Sequence, residues 1–218
     1  MFLLFPWCLG SQAVVSFVLE KEISIEPFSL VAEEDSGDLC VESGQETLQR
    51  ITKLVNETLT NDKSYGVYTL TKEQVLQAID SGKSEGGSSG KHRVLDPIDG
   101  TKGFLSGDQY AIALVLLDKG KVVLGVLACP NLSLASIGIN NQDFSQSEVG
   151  LFFAKLSGGT YMQLLDGSSP IKFAQYAFNE NFLGIDGMCC DNGFERTIWN
   201  YVSWALPFQK IKIKINKT

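Results

Sequence analysis

The segment Val94–Leu105 reads Val-Leu-Asp-Pro-Ile-Asp-Gly-Thr-Lys-Gly-Phe-Leu. An apolar run leads into two carboxylates, Asp96 and Asp99, separated by Pro97 and followed at once by Gly100 and the hydroxyl of Thr101. Pro97 fixes its own φ near −65° and biases Asp96 toward an extended backbone, so the chain is expected to leave a strand and turn here. In such a turn Asp96 and Asp99 converge, and the Ile98 carbonyl can face the same point. Two carboxylates and a carbonyl make the all-oxygen shell that magnesium prefers, completed by water and phosphate. Thr101 would stand beside that water and orient it, or relay its proton. Asp-Pro and Asp-Gly are also ordinary turn punctuation. The combination is what points to a metal-and-phosphate site.

A second acidic cluster has the same design. Leu30, Val31 and Ala32 are strand-like and run into Glu33, Glu34, Asp35, Ser36, Gly37 and Asp38, so the carboxylates emerge where a buried strand stops. Alone, such a run reads as a solvated acidic turn.

Together the two segments resemble the lithium-sensitive inositol monophosphatase superfamily, whose metal-binding signature is similar to Asp96-Pro97-Ile98-Asp99-Gly100-Thr101. Val31-Ala-Glu-Glu-Asp-Ser-Gly-Asp38, with Gly107-Asp-Gln-Tyr-Ala-Ile-Ala-Leu114, looks most like its plant 3'(2'),5'-bisphosphate nucleotidase branch, some of whose members act on inositol polyphosphate 1-phosphates. The resemblance implies that Glu33, Asp96, Asp99 and the Ile98 carbonyl hold Mg2+. It also implies that Glu34 supports them from behind, that Thr101 positions the attacking water, and that Gly100 and Thr101 meet the substrate. The implied reaction removes the 3'-phosphate of adenosine 3',5'-bisphosphate to give AMP and phosphate. The implied fold is a layered α/β sandwich of the sugar phosphatase type.

That likeness runs from residue 9 to residue 172, which implies the metal-binding lobe with a second lobe largely missing and a divergent tail over 173–218. In the family an acidic residue just ahead of Gly10-Ser11-Gln12 helps arrange the nucleophilic water; here those positions read Phe5-Pro6-Trp7-Cys8. Downstream, Trp199-Asn200 faintly echoes the motif of the remaining metal ligand, with a neutral Asn200 where a carboxylate is wanted. Two functional classes follow. One is an active magnesium-dependent phosphatase; the other is an impaired member that binds metal or a partner without turnover.

Charge narrows the partners. A net charge of −7 argues against a nucleic-acid polymer or an anionic membrane surface and leaves a small phosphomonoester, with the metal supplying positive charge locally. The apolar fraction of 44% is that of a soluble globular chain. Five cysteines lack the paired spacing of a zinc site and are read as reduced, buried thiols, with no role assigned to Cys189 or Cys190. His92 precedes the aspartate strand and completes no Ser/His/Asp triad. The first nineteen residues carry no charged side chain. They lack the positive start of an export signal, and Pro6, Gly10, Ser11 and Gln12 interrupt the apolar run before it could span a membrane. The expected compartment is cytoplasmic, with plastid or mitochondrion open for the family; the oligomeric state is undetermined.

The remaining pattern predicts elements. Ala13, Val14, Phe17 and Val18 are spaced for one face of a helix beginning near Leu9. Residues 45–59 repeat Leu48, Ile51, Leu54 and Val55 at helical spacing, and 71–79 is a helix opened by Thr71 with Gln74 three later. Residues 81–91 are a Gly/Ser-rich flexible loop without the Lys-Ser ending of a Walker phosphate loop. Two hairpins are expected, one across Asp118-Lys119-Gly120 and one across Ser157-Gly158-Gly159. The closing 210–216 alternation reads as a basic strand or frayed end.

Overall fold

The computed structural model describes residues 5–23, 29–133, 149–164 and 171–174. The readings for Cys189, Cys190, Trp199, Asn200 and 210–216 fall outside the described residues. The chain divides into two compact units, the first comprising residues 1–86 and 92–98, the second 87–91 and 99–218.

The first unit is built on three helices. Helix α1 (Phe5–Glu22) carries Pro6 in its first turn, where a missing N–H costs nothing, and so starts four residues ahead of the expected Leu9. Its Leu9, Ala13 and Phe17 are buried, with Val14 and Val18 packed beside them. Helix α2 (Gln45–Asn61) buries Leu48, Ile51, Val55 and Leu59, a stripe at intervals of three and four. Helix α3 (Lys72–Asp80) begins with a capping box: Thr71 accepts from the Gln74 amide while the Gln74 side chain accepts from the Thr71 amide. These stripes, with Leu39, Leu70, Val75, Ala78 and Ile79, form one apolar cluster. Asn56 pins the α2–α3 loop by bonding both the amide and the carbonyl of Leu70. At the far end of α1, the Lys21 ammonium lies 5.5 Å from the Phe17 ring and 5.3 Å from that of Tyr68.

Two strands complete this unit. Strand β1 (Leu30–Ala32) pairs in parallel with β2 (Lys91–Asp99) in the register Leu30 to Arg93, Val31 to Val94 and Ala32 to Leu95. Parallel neighbours need a long crossover, and α2 and α3 supply it. The start of the 81–91 segment is more ordered than its composition suggests. Ala32 donates to the Gly82 carbonyl, Ser84 donates to that of Leu30, and Lys83 bridges Val31 antiparallel, so this stretch covers the outer side of β1.

In the second unit β3 (Ala111–Asp118) turns into β4 (Lys121–Ser133), followed by β5 (Val149–Lys155), β6 (Gly159–Leu164) and β7 (Ile171–Ala174), each antiparallel to the one before. Both expected hairpins are present. Asp118 faces Lys121 across Lys119 and Gly120, whose φ values of 51° and 75° suit a two-residue turn with both centres left-handed. Alternation along β3 buries Ala111, Ala113, Val115 and Leu117, joined by Leu127, Phe152, Ala154 and Met162. Among the described residues no helix is long and apolar enough to cross a membrane.

Candidate metal site and family

The Asp96–Thr101 motif divides between the two units. Strand β2 does not turn at Pro97, as its sequence suggests, but continues to Asp99. Pairing with β1 ends at Leu95, so the missing N–H of Pro97 breaks no bond of that ladder. Asp96 folds back locally, its Oδ1 accepting from the Ile98 amide at 3.2 Å. The Ile98 side chain is buried.

On the other side of the division, Gly100 makes the turn. Its φ of 82° is left-handed, and it caps a short helix, α4 (Thr101–Ser106), that opens on the exposed Thr101. Gly103 is held in the same unit by close approach, since a Cβ there would lie 1.9 Å from the Gln109 carbonyl oxygen. Phe104 and Tyr110 stack edge to face beside it at 5.0 Å. Burial pushes the Asp99 carboxyl above the usual carboxylate range, opposed by the Gly100 amide.

The second acidic run leaves β1 as expected. Glu33 is exposed and Glu34 is partly buried. Burial, and then the neighbouring charge of Glu33, push the Glu34 carboxyl up, while a hydrogen bond from the Cys8 thiol pulls it down. Cys8 is buried, 5% exposed, near the start of α1. Its thiol is pushed up to about 12, first by burial and then by Glu34, Glu33 and Asp96. The groups acting on this sulfur are thus carboxylates from two separate segments, one after β1 and one within β2. The sequence marks Cys8 as a reduced, buried thiol within the Phe5-Pro6-Trp7-Cys8 stretch that lacks the expected acid; the structure adds that Glu34, Glu33 and Asp96 each raise its thiol.

Two further residues of α1 went unassigned. Gln12 is fully buried; its Nε2 donates to the Glu34 carbonyl at 2.8 Å and to the Ile79 carbonyl at 2.8 Å, and its Oε1 accepts from the Glu34 amide at 3.1 Å. Ser11 Oγ donates to the Pro97 carbonyl at 3.1 Å. The available signal was a polar pair in the apolar first part of the helix, with Gln12 one turn after Cys8. Nearby, Asp80 accepts from the Ser36 amide and from Lys83 Nζ, which ties the acidic turn to the end of α3. His92 lies within β2 and not ahead of it, and its Nδ1 bonds Ser29 Oγ at 2.7 Å, a bracing role at the start of the strand. Of the described cysteines, Cys8 and Cys129 are buried as expected, whereas Cys40 is exposed because it caps a surface turn.

Glu33, Glu34, Asp96 and Ile98 therefore belong to the first unit, and Asp99, Gly100 and Thr101 to the second. Among the described residues no group of three or more His, Cys, Asp or Glu side chains is drawn close enough to hold an ion. The donor chemistry nonetheless fits a hard cation. Carboxylate and carbonyl oxygens are its natural ligands, and Glu34, Glu33 and Asp96 each raise the Cys8 thiol.

Comparison with known proteins agrees with the motifs. The model of the inositol monophosphatase family matches residues 8–175. The 3'(2'),5'-bisphosphate nucleotidase 1 of Arabidopsis thaliana is 68% identical over 166 residues, 75% of this chain and 47% of that protein. The 3',5'-bisphosphate nucleotidase 2 of the same plant is 54% identical over 173 residues, 79% and 50% of the two chains. The 3'(2'),5'-bisphosphate nucleotidase of Oryza sativa is 59% identical over 167 residues, 76% and 46%. The chain spans about half the length of these relatives. With an α/β fold, both acidic segments in place and a family match over most of its residues, this chain belongs to the inositol monophosphatase family.

Proposed function

We propose that the chain forms the metal-binding part of a magnesium-dependent phosphatase that removes the 3'-phosphate of adenosine 3',5'-bisphosphate to leave AMP. Inositol polyphosphate 1-phosphates are a second substrate class. Glu33, Asp96 and Asp99 would hold Mg2+ through carboxylate oxygens and Ile98 through its carbonyl, with Glu34 supporting the first of these. Magnesium, when bound, supplies charge to the phosphoryl oxygens and acidifies water. Thr101 orients the attacking water and takes part in its proton transfer, while Gly100, having no side chain, leaves room for phosphate beside it. Substrate and metal meet in the cytoplasm, or in a plastid or mitochondrion.

The observation that carries this reading is geometric: Gln12 and Ser11, adjacent on α1, bond the Glu34 backbone and the Pro97 carbonyl, which ties the Glu33–Glu34 run and the Asp96 segment to one helix. Carboxylates held on such corners suit a divalent ion. One stretch favours the second reading, metal uptake without turnover. Phe5-Pro6-Trp7-Cys8 stands where the family resemblance puts an acidic residue, and the Cys8 thiol in it, pushed up to about 12, stays neutral.

The test is phosphate release from adenosine 3',5'-bisphosphate with Mg2+, repeated with Li+ and with Asp96→Asn. Catalysis of this kind is positioning and electrostatics, so loss of one ligand charge is expected to slow turnover by roughly 100-fold or more. Lithium-sensitive release that Asp96→Asn removes supports the phosphatase. Calorimetric Mg2+ uptake without release supports the second reading, and absence of both refutes the two together.

A further inference from the structure

Helix α1 reaches both of the segments that bear carboxylates in the first unit, and it does so with adjacent residues. Gln12 makes three of its four possible hydrogen bonds there to backbone: one N–H to the Glu34 carbonyl, the other to the Ile79 carbonyl, and its oxygen to the Glu34 amide. The amide orientation is settled by this pattern, because a flipped group would set its oxygen against two carbonyl oxygens. Ser11, the preceding residue, donates to the Pro97 carbonyl, between Asp96 and Ile98. These contacts span 22, 67 and 86 residues of sequence, so they fix distant segments and not a local turn.

Any buried glutamine must find partners for its amide, and what matters here is which groups they are. Here both groups of one peptide unit's residue, Glu34 N–H and C=O, are taken by a single side chain. That removes rotation of the backbone immediately after Glu33. The Ser11 bond does the same for the carbonyl between Asp96 and Ile98. The packing leaves no slack: a Cβ on Gly82 would lie 2.9 Å from Gln12 Nε2.

We propose that Ser11 and Gln12 are positioning residues that set the spacing between the Glu33–Glu34 corner and the Asp96–Ile98 corner, and so the affinity of the site for its divalent cation. This rests on the magnesium reading above. Neither residue touches the cation. They act by holding the backbone that presents its ligands, as outer partners do in characterised metal sites.

The experiment uses the full chain with Mn2+ as a paramagnetic stand-in for Mg2+, its binding followed by electron paramagnetic resonance. Gln12→Met keeps the length of the side chain and deletes its three bonds. It is expected to weaken Mn2+ binding about 10- to 100-fold, and Ser11→Ala about tenfold. Ser11→Thr restores the hydroxyl and should restore wild-type affinity. Thermal midpoints of the cation-free variants are measured alongside. A purely structural role would lower those midpoints and leave the affinity of the folded protein unchanged, and that outcome overturns the proposal. If Gln12→Met does not fold, Ser11→Ala and Ser11→Thr decide the question, since they alter one half-buried hydroxyl. Wild-type protein that takes up no Mn2+ would defeat the magnesium reading and this proposal with it. Wild-type uptake with unaltered variants would defeat this proposal alone.

Discussion

The two units are ordered by opposite kinds of contact. In the second unit each strand pairs with the next in sequence, and two- or three-residue turns join β3 to β4 and β5 to β6. In the first unit the decisive contacts cross long stretches of chain. Strand β1 meets β2 only after both helices of the crossover, and Ser11 finds Pro97 86 residues away. A unit made of neighbours can be specified by alternation and turn residues; one made of distant partners needs buried polar groups to choose among possible registers. Gln12, buried, and Asn56 and Asp80, partly buried, do that work in the first unit, each bonding backbone on another segment.

The largest effects should come from the two cores, where the contrast can be broken. Phe152 and Ile51 are both fully buried, one in the β-meander and one in the helical cluster. Phe152→Ala is expected to cost about 3–5 kcal/mol and Ile51→Ala about 2–5 kcal/mol. Amide hydrogen exchange read strand by strand and helix by helix is the measurement. Phe152→Ala should raise exchange first in β4, β5 and β6, its sequence neighbours, whereas Ile51→Ala should loosen α1 and α3, which lie far from it in the chain. Equal loss across all elements for both variants would erase the distinction drawn here.

A smaller effect tests a contact that is local but not regular. Gly103→Ala would drive a Cβ into the Gln109 carbonyl, and backbone cannot rotate away as a flexible side chain can. A destabilisation of about 1–3 kcal/mol is expected from urea titration. Exchange should rise in α4 and at the start of β3, and the capping box at Thr71 should stay protected.

This division also accounts for what the sequence made legible. The α3 cap and the Lys119-Gly120 hairpin were readable because their partners lie within a few residues. Both carboxylate runs were readable as motifs, and their strands ended where expected or two residues beyond. The continuation of β2 through Pro97 was not, because it depends on where pairing with β1 stops, a fact of register and not of local propensity. The ordering of Gly82–Ser84 against β1 was hidden for the same reason. Ser11 and Gln12 looked like interruptions of an apolar helix. Their partners are backbone groups, and backbone groups leave no mark on a sequence.

The mildest prediction compares one thiol from each unit. Cys129 is pushed up to about 11 by burial alone, whereas Cys8 is pushed up to about 12 by burial and by Glu34, Glu33 and Asp96. Only the thiolate alkylates, so at pH 8 both should react far more slowly with iodoacetamide than the exposed Cys40, as followed by peptide mass spectrometry. The sign of the next step differs between the units. Glu34→Gln removes a negative charge beside Cys8, which lowers the free energy of its thiolate, so Cys8 labelling should rise, roughly severalfold, while Cys129 stays unchanged. If both thiols accelerate together, the substitution has loosened the fold. If neither does, burial alone silences Cys8, and the carboxylates do not share the electrostatic environment that a cation at this site would require.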